Sequence, residues 1–174
     1  MSLSLIVRIR KVAPFAGVLQ TASAILRQLL NLETVPKLVC ELPPAKRNLS
    51  LEGQLIEPNF PGAYITLQGV GRSLASFLVF NSPAPGEKDR LLLSCGADGR
   101  GQASEVLVVA LAVAAATLMQ GSIDDAGHHW LDKDEYGPEE LVDALRLLER
   151  PLDFRAAIEL VYRRQAVHER YPAC

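Results

Sequence analysis

Hydrophobic and polar positions fall into three regimes along the chain. Residues 3–10 alternate, with Leu3, Leu5, Val7 and Ile9 on one side, which is the period of a strand. Past Pro14 the period becomes helical. Phe15, Val18, Leu19, Ala22, Ile25, Leu26 and Leu29 share one stripe, opposite Gln20, Thr21, Ser23, Arg27 and Gln28. Proline suits the first turn of a helix, and Pro36 closes the region. The spacing therefore predicts a helix from Pro14 to near Asn31.

The middle third is cut into short apolar segments at 37–41, 48–57, 64–68, 74–80 and 90–94. In 48–57 the alternation runs through Leu49, Leu51 and Leu55. Gly, Pro and Asn clusters separate the segments, as in an antiparallel meander of strands.

The last third is helical again. Residues 106–119 are apolar all round and rich in alanine, the composition of a helix buried on every side. Ser104 is its expected N-cap, Glu105 complements the positive end of its dipole, and Gly121 is the expected stop. Residues 122–124 and 129–131 read as one short strand or a small hairpin. Gly137 and Pro138 then start a helix with the stripe Leu141, Val142, Leu145 and Leu148, ended by Pro151. Asp153 caps a last helix with Phe154, Ala157, Ile158, Val161 and Tyr162 inward.

Strands bunched between helices predict an α+β fold rather than an alternating parallel one. The expected architecture is a single domain over 1–174, a two-layer arrangement of one antiparallel sheet with helices mainly on one face. The first helix and the 106–119 helix should pack on that face.

Composition narrows the function classes. The 174 residues are 49% hydrophobic and 22% charged, enough for a core without staples, and this excludes a disordered chain or a rod. Net charge is −2, so no global basic field prepares the chain for nucleic acid. Cys40, Cys95 and Cys174 are far apart and odd in number, which is neither a disulfide framework nor a zinc spacing. The apolar run at 106–119 is shorter than the ~20 residues of a membrane span. The first ten residues are too short an apolar stretch for a signal peptide. The expectation is a cytoplasmic protein that uses neither membrane nor nucleic acid.

No motif commits the chain to a chemistry. Gly96, Gly99 and Gly101 stand between an apolar strand and a helix, as phosphate loops do. Their spacing is not the dinucleotide fingerprint, and no Lys-Ser or Lys-Thr follows. Asp124, Asp125, His128, His129, Asp132 and Asp134 bring metal-ligating side chains within eleven residues. Adjacent histidines on a strand point to opposite faces, so a polar turn is the simpler reading. Cys95 at a strand end has the position of a nucleophile, but a lone thiol beside apolar residues is more often core. The expectation is a protein without catalytic residues, cofactor or metal.

Charge distribution says more. From Asp124 to Asp143 there are eight acids and one base, a local charge of −7 within a chain of −2. Trp130 and Tyr136 lie inside this segment. Aromatic anchors ringed by charge suit a binding hot spot that steers a basic partner. The candidate partner-binding residues are therefore Asp124, Asp125, Trp130, Asp132, Asp134, Glu135 and Tyr136. The competing readings are a solvated polar face and, for Trp130, plain core packing.

The run Val106-Leu-Val-Val-Ala-Leu-Ala-Val-Ala-Ala-Ala-Thr-Leu-Met-Gln-Gly-Ser-Ile-Asp-Asp125, then Trp130, then Gly137-Pro-Glu-Glu-Leu-Val-Asp-Ala-Leu145, resembles small α+β immunity proteins of bacterial polymorphic toxin systems. The shared features are an alanine-rich helix, Gly-x-Ile-x-Asp, an aromatic residue and a Pro-Glu-Glu-Leu helix, over roughly residues 101–149. The resemblance implies a cytoplasmic, non-enzymatic protein that binds and neutralises a cognate protein toxin. It transfers no toxin-contact residue and sets no oligomeric state. A chaperone for a secreted effector is the alternative within the binding class. A small metal- or Cys95-dependent enzyme is the alternative outside it.

Overall fold

A seventeen-residue helix, α2 (Gln102–Leu118), is buried on every side from Ala103 to Ala116. Its side chains Val106, Leu107, Val109, Leu111 and Val113 are at most 1% exposed, so it is the centre of the core, as its all-round apolar sequence predicts. The computed structural model describes residues 3–81, 91–97, 101–125, 133 and 135–166.

The strands are β1 (Ser4–Ile9), β2 (Leu38–Glu41), β3 (Ala63–Leu67), β4 (Ala75–Asn81), β5 (Leu91–Ala97), β6 (Ser122–Asp124) and β7 (Glu135–Tyr136). They form one sheet in the order β2-β3-β4-β5-β1-β6-β7, and every neighbouring pair is antiparallel. The meander β2 to β5 follows sequence order, while β1 enters between β5 and β6. The remaining described helices are α1 (Phe15–Leu30), α3 (Pro138–Leu145) and α4 (Phe154–Ala166). α2 lies against β1, β4, β5 and β6 on one side and against α1, α3 and α4 on the other. The fold is thus a single α+β domain with an antiparallel sheet and its helices on one face.

Alternation decides which sheet face the helices cover. Leu3, Leu5, Val7 and Ile9 before and within β1 point inward with Ala75 and Phe77 of β4 and Leu93, Cys95 and Ala97 of β5. Three rings from separate elements close one end of the core. Phe15 of α1, Phe60 before β3 and Phe77 of β4 lie 5.1–5.9 Å apart, centroid to centroid, in tilted and edge-on pairs.

Four local expectations are corrected. Residues 48–57 form turns rather than a strand. Leu49 and Leu55 are exposed, Gly53 turns the chain at φ +72°, and the amides of Leu49 and Gln54 bond to carbonyls three residues back. What this segment gives the core is Ile56, held where its amide meets the Ala13 carbonyl at 2.9 Å.

The N-cap of α2 is Gly101, not Ser104. Ser104 is buried in the first turn and its hydroxyl donates to the Arg72 carbonyl at 2.8 Å. A Cβ on Gly101 would lie 2.1 Å from that same carbonyl oxygen, so the close approach requires glycine.

At the other end of α2, Gln120 takes the left-handed conformation (φ 52°) expected of Gly121. Gly121 serves a different need, because a Cβ there would meet the Arg8 carbonyl of β1 at 2.3 Å.

α3 stops at Leu145, and Leu148 stands 76% exposed rather than inward. Arg146 is extended (ψ 142°), and the Leu147 amide leaves the helix to donate to the Leu29 carbonyl of α1 at 2.9 Å. Leu147 fills the core position instead. The Asp153 cap stands as expected, its carboxylate accepting from the Ala156 amide at 2.8 Å.

Candidate partner-binding surface

Among the described residues, none covers the face of the sheet opposite the helices. Strand register places its outward residues in cross-strand rows. One row runs Leu78–Ser94–Ile6–Asp124–Glu135, the next Phe80–Leu92–Arg8–Ser122. Leu78 is 44% and Phe80 39% exposed, and Ile6 and Leu92 are half-buried beside them. An apolar patch thus occupies β4, β5 and β1, and it turns polar where the rows reach β6 and β7. Glycine at 62 and serine at 94, 76 and 4 keep the neighbourhood of the patch low. A Cβ on Gly62 would lie 2.6 Å from a Leu78 methyl.

The polar end is organised by charge. The Arg8 guanidinium donates to the Asp124 carboxylate at 3.1 Å across the β1–β6 pair. Arg8, Arg10, Ser122 and Glu135 line an open cavity of about 480 Å³ at this end. Just beyond, Lys133 pairs with Glu140, and the bond to Lys133 holds the Glu140 carboxyl below its ordinary range. The same ammonium sits 5.5 Å from the Tyr136 ring centroid.

Of the seven residues singled out from sequence, four lie within the described residues. Asp124 and Glu135 face the open side, opposite one another in the β6–β7 pair. Asp125 and Tyr136 are buried, at 3% and 4% exposure, and Tyr136 stands opposite Ile123 on the core side. Trp130, Asp132 and Asp134 lie outside the described residues, as do the histidines at 128 and 129, the strand expected at 129–131 and residues 98–100 of the glycine-rich stretch. The alternation of Leu78 and Phe80 with the inward Phe77 and Val79 marks them as outward, but the patch on β4, β5 and β1 forms only through strand register.

The chemistry available at the remaining candidates is limited. Cys95 is fully buried, and burial pushes its thiol far above the ordinary range, which removes the thiolate a nucleophile needs. Cys40 on the edge strand β2 is raised for the same reason to a lesser degree. Among the described residues no three His, Cys, Asp or Glu side chains gather as metal ligands, and no helix is long and apolar enough to cross a membrane. Compared with known proteins, the chain matches no family model, no curated protein and no solved structure.

Proposed function

We propose that this chain works by binding another protein without catalysing a reaction, and that the bound protein is a toxin which it neutralises. The toxin assignment rests on the resemblance carried by residues 106–125 and 137–145. The binding mode rests on one observation. The row Leu78–Ser94–Ile6–Asp124–Glu135 crosses a sheet face that no described residue covers, from apolar to acidic within a single register. Such a surface offers what a stable interface needs, an apolar centre that gains from losing water and a charged rim that orients the partner. Burying Leu78 and Phe80 under a partner contributes roughly 1–2 kcal/mol each at ~25 cal/mol per Å².

The sequence segment expected to contact the partner, Asp124 to Tyr136, enters this surface through Asp124 and Glu135. The basic partner face anticipated for it would meet Glu135 on this side of the sheet.

The test is capture of the partner from the native bacterium, with the product of the adjacent gene as first candidate, followed by co-expression. Restored growth of cells making that product supports the reading. Capture of an unfolded effector segment with no protection would replace it by the chaperone reading.

A further inference from the structure

A second surface lies on the helical side, away from the open sheet face, and is independent of the toxin reading. The last turn of α1 and the segment after α3 enclose an open cleft of about 580 Å³ whose lining includes Arg27, Arg146 and Arg150. Both walls are tied together. The Leu147 amide donates to the Leu29 carbonyl at 2.9 Å, and the Asn31 side-chain amide donates to the Leu148 carbonyl at 3.2 Å. Arg164 of α4 donates to the Arg146 carbonyl from behind.

The cleft is cationic after its own ion pairs are counted. Glu33, the acid in its lining, is engaged by Arg150 at 3.2 Å. Arg146 uses its Nε on Asp143 at 3.4 Å, and its terminal nitrogens form no ion pair with a described residue. Arg27 is exposed and forms no ion pair with a described residue. Guanidinium forks favour carboxylates and phosphates, so charge alone admits a protein or a nucleic acid.

The leucines decide between them. Leu148 lines the cleft and is 76% exposed, and Leu152 just past it is 99% exposed. A largely bare leucine in the lining beside these arginines, with a second exposed leucine two residues past Arg150, matches an amphipathic protein segment, in which carboxylates alternate with apolar side chains. The leucines match nothing in a phosphate backbone.

We infer that the cleft between the end of α1 and residues 146–150 docks an acidic, leucine-bearing segment of a partner protein. Carboxylates of that segment bind Arg27 and Arg146, and its apolar side chain covers Leu148.

The experiment is fluorescence anisotropy of the full chain with a short labelled peptide of glutamate and leucine at low and high salt. The same peptide with lysine for glutamate and a labelled oligothymidylate serve as controls. Expected is saturable binding of the glutamate peptide alone, weakened by salt. Arg27→Glu with Arg146→Glu should reduce affinity ~tenfold or more, and Leu148→Ser should weaken it without changing its salt dependence. All three positions are exposed, and circular dichroism confirms that the variants keep the fold. Absence of binding at low salt, equal binding by the charge-reversed variant, or equal binding of the oligothymidylate would overturn the inference. So would salt-sensitive self-association of the chain that the charge reversal abolishes, because the occupant would then be a second copy. No toxin enters this experiment, so its failure leaves the toxin reading standing.

Discussion

Arg8 on β1 holds Asp124 on β6 at 3.1 Å on the outward face of the sheet, two residues along from its direct cross-strand partner Ser122. This diagonal bond covers part of the charge with which the acidic segment begins. Of the acids on this face among the described residues, Asp124 is thus taken up by Arg8, and Glu135 stands opposite it in the β6–β7 pair. The pair also stands where the apolar patch of Ile6, Leu78, Phe80 and Leu92 ends, so it marks the boundary between the two parts of the proposed binding face.

The break in α3 predicts opposite responses at adjacent leucines. Leu147→Ala removes a buried side chain and should cost ~2–3 kcal/mol. Leu148→Ala removes one that is 76% exposed and should stay within ~0.5 kcal/mol. Urea denaturation of both variants measures the difference. Equal costs would mean that the helix continues through Arg146.

The approach of the β3–β4 turn to the start of α2 predicts a glycine requirement. Gly101→Ala must displace the Arg72 carbonyl and should destabilise by ~1–3 kcal/mol. Gly71→Ala meets nothing within 4 Å and should change stability by less than ~0.5 kcal/mol. Thermal melts of the two variants side by side provide the comparison.

Burial of Cys95 predicts a pH dependence with a definite sign. Its folded thiol is raised above the ordinary value of 9.0, so above that pH the unfolded chain loses a proton that the folded chain keeps. The unfolded state is then favoured, and stability falls as pH rises past 9, by on the order of 1 kcal/mol at pH 10. Below pH 9 the contribution is flat. Denaturation of wild type and Cys95→Ala at pH 8 and pH 10 isolates it, because the loss between the two pH values should be smaller in the variant. Equal losses would mean that the thiol ionises alike in both states.

Periodicity alone makes the major elements legible in the chain. The stripe of α1, the alternation of β1 and the all-apolar run of α2 each carry their own burial pattern, because each element repeats one environment many times. Single positions are harder to read. Ser104 looks like a cap until the Arg72 carbonyl is brought to it by a turn thirty-two residues away. Gly121 looks like a helix stop until β1 is laid against it. Leu148 continues a helical stripe by spacing, but a hydrogen bond from Leu147 to Leu29 takes the chain elsewhere. The leucines of 48–57 alternate, yet the amides of Leu49 and Gln54 are taken by local turns. In each case a long-range contact or a turn outweighs the local signal.

The candidate site is half legible for the same reason. Acid content at 124–143 is visible in the sequence, whereas the patch beside it exists only through register. Ile6, Leu78, Phe80 and Leu92 come from three strands and meet because β1 inserts between β5 and β6. Nothing in their sequence spacing announces that neighbourhood. Tyr136 shows the converse, an aromatic in a charged segment that turns inward opposite Ile123.

Growth of cells producing the captured toxin tests most directly the proposed binding and neutralisation of a toxin by the outward sheet face. Co-expressed wild-type chain should restore growth. The Leu78→Asp, Phe80→Asp variant should fail to restore it while keeping its melting transition, because both side chains are exposed and point away from the core. Equal growth with wild type and variant would contradict the account, as would no protection by the wild-type chain.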